Sequence, residues 1–121
     1  MAKWANDSVM DAALDLVATG TIVTVCNAQP TTRTEAVTTY KLADVVVDGT
    51  DFTKANGDVS GRKVTVAAQA SVPVDTTGSA THIAVCDGTN LLYVTTCTAQ
   101  TLTSGNTVTI PAWDIEISDP S

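Results

Sequence analysis

The residues with the widest chemical reach lie close together. His82, Cys86 and Cys97 fall within THIAVCDGTNLLYVTTC, residues 81–97, which holds the only histidine and two of the three cysteines. Histidine with thiolates is zinc-ligand chemistry, and two thiols can close a disulfide. Spacing decides whether either is reachable. DGTN is a turn signal between two apolar runs, so a turn centred on Gly88 and Thr89 pairs Asp87 with Asn90 and Cys86 with Leu91. Counting on, Ala84 faces Tyr93, His82 faces Thr95 and Ala80 faces Cys97. His82 and Cys86 are then about 13 Å apart along the strand, whereas zinc ligands stand about 2.0–2.3 Å from one ion. Cys86 and Cys97 are separated by about 20 Å of ladder, and a disulfide needs Cα atoms within about 7 Å. The stretch therefore reads as a hairpin with Ile83, Val85, Leu92 and Val94 turned to the core. Its second face carries His82, Tyr93 and the thiols, and is either covered by a helix or another sheet or offered to a neighbour.

Other chemistry is no better supplied. Spacing alone does not place Cys26, and an odd number of cysteines in a chain long enough to fold without staples points to free, partly buried thiols. Asp44, Asp48 and Asp51, like Asn56 and Asp58, lack the fixed offsets and final Glu of a calcium loop and read as turn-forming, solubilising residues. Neither a nucleophile elbow nor a phosphate-binding loop is present. The expectation is a protein with no enzymatic activity, no cofactor and no metal.

Six Lys and Arg against 13 Asp and Glu give a formal charge of −7. That charge would repel a phosphate backbone or an anionic membrane, so neither nucleic acid nor membrane is an expected partner. No apolar run approaches the roughly 20 residues that span a bilayer. The start, MAKWANDSVMDAALDL, spaces polar residues where a signal peptide has an unbroken apolar region, which predicts a chain made and kept soluble in a cytoplasm.

The elements that must position these residues are mostly strands. Only residues 1–20 read as helix: Asn6 or Asp7 can cap it, Val9, Ala12, Ala13, Leu16 and Val17 repeat at helical spacing, and Gly20 stops it. Its apolar stripe, widened by Met10 and Leu14, must cover either the domain's own sheet or a neighbouring subunit. From residue 21 to 121 the chain reads as one β domain. TIVTVCNA and KLADVVVD are short strands, TTRTEAVTTY is a surface loop, and DFTKANGDVSG is a long loop. RKVTVAAQASVPVD alternates cleanly, with Val64, Val66, Ala68, Ala70, Val72 and Val74 on one face and Pro73 marking an edge or bulge. In TVTIPAWDIEIS, Val108 and Ile110 share one parity while Trp113, Ile115 and Ile117 share the other, which predicts a bulge or a change of sheet at Pro111-Ala112. The fold class is mainly β: a small sandwich or barrel of about six to eight antiparallel strands with one N-terminal α-helix packed on it or docking it.

Taken together, DAALDLVATG, CNAQPTT, SGRKVTVAAQ, SATHIAVCDGTNLLYVTT and LTSGNTVTIPAWDIEISDPS, in this order, resemble the small virion structural proteins of tailed bacteriophages. The resemblance implies a virion component, a decoration or cement protein on the head surface. Its partners would be the major capsid protein, further copies of itself, or both. The residues expected at such contacts are Trp4, Val9, Met10 and Ala13 on the helix, and Thr31, Thr32, Arg33 and Tyr40 in the loop that follows the first strand. A tail or head-fibre component, or an adhesion module on a host surface, is the alternative. Aromatics for stacking on a sugar are few, chiefly Tyr40, Tyr93 and the two Trp.

Overall fold

Asn6 starts the one α-helix by accepting a hydrogen bond from the Ser8 backbone N–H at 2.8 Å. The helix α1, Asp7–Val17, is the first element of the computed structural model, which describes residues 4–118. Gly20 then lets the chain turn against the sandwich. A Cβ there would stand 2.5 Å from Val85 Cγ1 and 3.1 Å from the Val17 carbonyl, so no larger residue fits this approach.

Nine strands follow: β1 (Ile22–Cys26), β2 (Lys41–Val46), β3 (Phe52–Asn56), β4 (Arg62–Val66), β5 (Gln69–Pro73), β6 (Gly78–Cys86), β7 (Leu91–Leu102), β8 (Thr107–Ile110) and β9 (Trp113–Ile117). They pair antiparallel in three sheets ordered β2-β1-β6-β7, β3-β4-β9 and β5-β8. The architecture is a mainly β sandwich with one N-terminal helix, not a closed barrel. The edge of the first sheet is joined to the third by the Ala43–Val74 bridge just after β5. Val23 and Val85 from the first, Val64 and Ile115 from the second, and Val72 and Ile110 from the third meet Leu14 of α1 in the main core.

The strand count exceeds the expected six to eight for local reasons. The run from Arg62 to Val74 is two strands that part at Ala67-Ala68, β4 pairing with β3 and β9 and β5 with β8; within β5, Ser71 takes φ +57° and the register against β8 shifts between Gln69 and Val72. Val64, Val66, Val72 and Val74 are buried, but Ala68 and Ala70 between them are exposed. DFTKANGDVSG is not a loop: β3 pairs residue for residue with β4, and only Phe52 of its five residues is buried. The final strand changes sheets as its parity slip predicted, with β8 on β5 and β9 on β4, and Pro111-Ala112 between them.

Candidate functional site

The β6–β7 hairpin keeps the predicted turn. The Asp87 N–H donates to the Asn90 carbonyl at 3.0 Å, and the Asp87 carboxylate accepts from the Thr89 and Asn90 N–H groups. Those two bonds hold the Asp87 carboxyl below the usual carboxylate range. Cys86 faces Leu91 as counted, but the register beyond it does not hold. Leu92 is an extra residue, so Val85 faces Tyr93, Ala84 faces Val94, Ile83 faces Thr95 and His82 faces Thr96. A second irregularity between Ala80 and His82 puts Ala80 opposite Gln100, not Cys97. The first bulge reassigns faces. Leu92 and Tyr93 both pack on the main core, where the Tyr93 ring stacks on Trp113 at 6.0 Å, while Val94 joins the opposite face.

That opposite face is covered from within. After Pro30, itself fully buried, the chain forms a π-helical turn, Glu35–Thr39, closed by the Tyr40 N–H donating to the Glu35 carbonyl at 2.8 Å. Its Ala36 is completely buried against Ala84 and Cys86, with Val37, Ile22, Leu91 and Val94 around them. The segment expected as a surface loop is therefore a lid on the first sheet. Several bonds hold it down. Arg33 Nε donates to the Asp87 carbonyl at 2.7 Å, the Asn27 N–H donates to the Tyr40 carbonyl at 3.0 Å, and Cys26 Sγ donates to the Ala36 carbonyl at 3.5 Å. The Glu35 carboxylate accepts from the Thr31 N–H and hydroxyl, which lowers its pKa.

Two of the three thiols serve this packing. Cys26 pairs with His82 across the β1–β6 ladder and Ile22 pairs with Cys86, so Cys26, His82 and Cys86 lie on the covered face, whereas Cys97, expected on that face too, packs against the main core. All three cysteines are free. Burial raises the pKa of Cys26, Cys86 and Cys97 alike, so each is a neutral thiol at physiological pH, not a nucleophilic thiolate. The His82 Nδ1 lies 2.8 Å from the Thr81 hydroxyl. Among the described residues no three His, Cys, Asp or Glu side chains gather where one metal ion could be held.

Of the residues expected at an interface, α1 separates two classes. Met10 is 4% exposed and Leu14 1%, so Met10 belongs to the domain's interior and is no contact residue. Asp11 and Asp15 anchor the same side, through Arg62 Nε at 2.9 Å and Lys54 Nζ at 2.6 Å. Val9 and Leu16 are 66% and 59% exposed, Ala12 and Ala13 are exposed between them, and Trp4 is 79% exposed just ahead of the helix. On a helical wheel Val9, Ala12, Ala13 and Leu16 share one face, adjacent to the buried one. Thr31 and Thr32 are exposed, whereas Arg33 and Tyr40 are half-buried in the lid. The sequence pattern ran both helix faces together as one wide stripe, and only the docking of α1 divides it.

Compared with known proteins, the chain matches no protein family, no curated protein and no solved structure.

Proposed function

We propose that this protein is a non-enzymatic structural component of a tailed-phage virion, a decoration protein that binds the head surface in many copies and stabilises it. One observation carries the proposal. After α1 has buried Met10 and Leu14 in its own domain, it still presents Val9, Ala12, Ala13 and Leu16 to solvent, with Trp4 beside them. Exposed large apolar side chains gathered on one rigid helix are what an assembly contact needs. The major capsid protein is the partner this reading assigns to the helix face. Many copies multiply a weak contact of this size into stable decoration. The ordering of residues 31–40 as an internal lid supports the same division of labour, with the helix rather than that segment making the contact.

The test is co-sedimentation with purified heads. The chain is expected to travel with heads in hundreds of copies per particle and to raise their resistance to heat or low salt, and the V9E/L16E double variant is expected to fold but lose binding. Recovery with tails, or in a few copies per particle, would sink the head-decoration reading in favour of a tail or fibre component.

A further inference from the structure

Two apolar features of matching size stand out besides the outer face of α1. One is a knob, the indole of Trp4, 79% exposed. The other is a pocket of about 210 Å³ between the first sheet and β8, walled by Val25, Ile83, Cys97, Leu102, Val108 and Ile110. Size selects its occupant. A cavity of about 150 Å³ takes a benzene-sized group, whereas sites for drug-sized ligands begin near 300 Å³. The pocket thus suits one aromatic or branched side chain. Thr98, Gln100 and Thr109, all exposed, also line it and offer oxygens to an indole N–H.

Knob and pocket lie at opposite ends of the molecule. Three contacts fix the direction of α1 along β4: Asp11 on Arg62, Asp15 on Lys54, whose ladder partner is Val64, and Gly20 against Phe52, whose partner is Val66. Trp4, upstream of Asp11, therefore lies beyond the end of the sheet where Arg62 pairs with Ile117. The pocket lies beyond the other end, because Ile110 precedes Trp113, the partner of Val66. The length of β9 alone, Trp113 to Ile117, puts roughly 13 Å between these two ends, so the proposal places each copy's Trp4 out of reach of its own pocket.

Charge indicates who can. Between Asp87 and Asp114 there is no Asp, Glu, Lys or Arg, so most of the pocket and its whole polar rim come from an uncharged segment, while the chain as a whole carries −7. Two such copies repel least where one of them presents no charge. We propose that copies of this chain associate head to tail, the Trp4 indole of one filling the Val25–Ile83–Leu102–Ile110 pocket of the next. The two surfaces differ, so the contact is heterologous and yields a ring if the rotation closes and a filament if it does not. It goes beyond the virion reading and does not depend on it.

The test uses the purified full-length chain, with mass measured by light scattering after size exclusion across a concentration series. Trp4 emission is followed in a Trp113→Phe background. Mass is expected to rise with concentration while the indole emission shifts to the blue. Trp4→Ala and Thr109→Lys are each expected to abolish assembly. Thr109 is exposed and the new lysine reduces the net charge, so neither a broken core nor added repulsion would explain the loss; Gln100→Lys is the substitute if Thr109→Lys misfolds. Mixing Trp4→Ala with Thr109→Lys restores a one-to-one complex, because one retains the pocket and the other the knob. A wild-type chain that stays monomeric at millimolar concentration, assembly that survives both substitutions, or a mixture that forms no complex overturns the proposal.

Discussion

Leu14→Ala and Leu16→Ala make the same chemical change two residues apart on one helix, and the structure assigns them opposite consequences. Leu14 is 1% exposed in the main core, and Leu16 is 59% exposed on the outer face of α1. Ala is at least as good a helix former as Leu, so neither change weakens the helix itself. Truncating Leu14 removes buried methyl groups and leaves a cavity, at a cost of about 2–5 kcal/mol. Leu16 lies away from any such feature, and its loss should stay within about 0.5 kcal/mol. A domain of this kind has about 5–15 kcal/mol of stability to lose. At roughly 3–6 °C per kcal/mol for a chain of this length, Leu14→Ala should lower Tm by about 6 °C or more and Leu16→Ala by no more than about 3 °C. Urea titration is the direct assay. The midpoint should move for Leu14→Ala at constant slope, since the surface exposed on unfolding is nearly unchanged. Equal shifts for the two variants would refute the docking of α1 by its Met10–Leu14 face, and with it the argument that the adjacent Val9–Leu16 face is free for a partner. A large shift for Leu16→Ala alone would reverse the assignment of faces.

The ion pairs that hold α1 should differ in worth. Arg62 and Asp11 are 19% and 22% exposed at their side chains, so Asp11→Asn is expected to cost about 1–2 kcal/mol. The Lys54–Asp15 pair is 36% and 58% exposed, and Asp15→Asn should cost under about 1 kcal/mol. Chemical denaturation of both variants checks the order, and equal costs would contradict it. Acid stability follows from four carboxylates held below their usual range: Glu35 by the Thr31 N–H and hydroxyl, Asp48 by the Thr50 hydroxyl and N–H, Asp87 by the Asn90 and Thr89 N–H groups, and Asp114 by the Thr65 hydroxyl. Their folded pKa values lie below the unfolded ones near 4, so their stabilisation is complete above about pH 5 and is lost as pH falls through the lowered values. The melting temperature should therefore drop on acidification below about pH 4, and a chain that grows more stable there would refute the linkage.

The legible parts of the fold are those where side-chain period and packing agree. In TVTIPAWDIEIS the change of parity between Ile110 and Trp113 marks the step from one sheet to the next, because each half must turn its apolar residues inward. In RKVTVAAQASVPVD the parity never slips, yet the strand breaks. The break falls at Ala67-Ala68, where the small side chains of Ala68 and Ala70 satisfy an apolar pattern without being buried, and further on, within β5, Ser71 adopts a left-handed backbone that residue type does not announce. β3 escaped notice because it is an edge strand with one inward residue, Phe52, and edge strands need little apolar patterning. The hairpin's turn was readable from DGTN, but the bulge at Leu92 was not, since three consecutive apolar residues, Leu91 to Tyr93, fit either register. The outer face of α1 was visible as apolar residues and invisible as an interface.

The thiols of β1 and β6 lie deep, and volume explains why. β1 and β6 are covered on both sides, which is why IVTVC and IAVC read as near-continuous apolar runs although the sheet is antiparallel. The two sides are not alike. Toward the sandwich core stand Val23, Val25, Ile83 and Val85; toward the π-helical lid stand Thr24, Cys26, Ala84 and Cys86. The smaller set lets Ala36 approach the sheet closely enough to be fully buried. Thr24 and Cys26 fill that space and meet each other at 3.5 Å, so the polar atoms they bring are not stranded. Cysteine here behaves as a small hydrophobe with a weak donor, and the same burial that gives it this role raises its pKa and removes its nucleophilicity. A face closed by its own chain keeps Thr24, Cys26 and Cys86 out of solvent. The surfaces left to act are those the fold does not close, the outer side of α1 and the pocket beside β8.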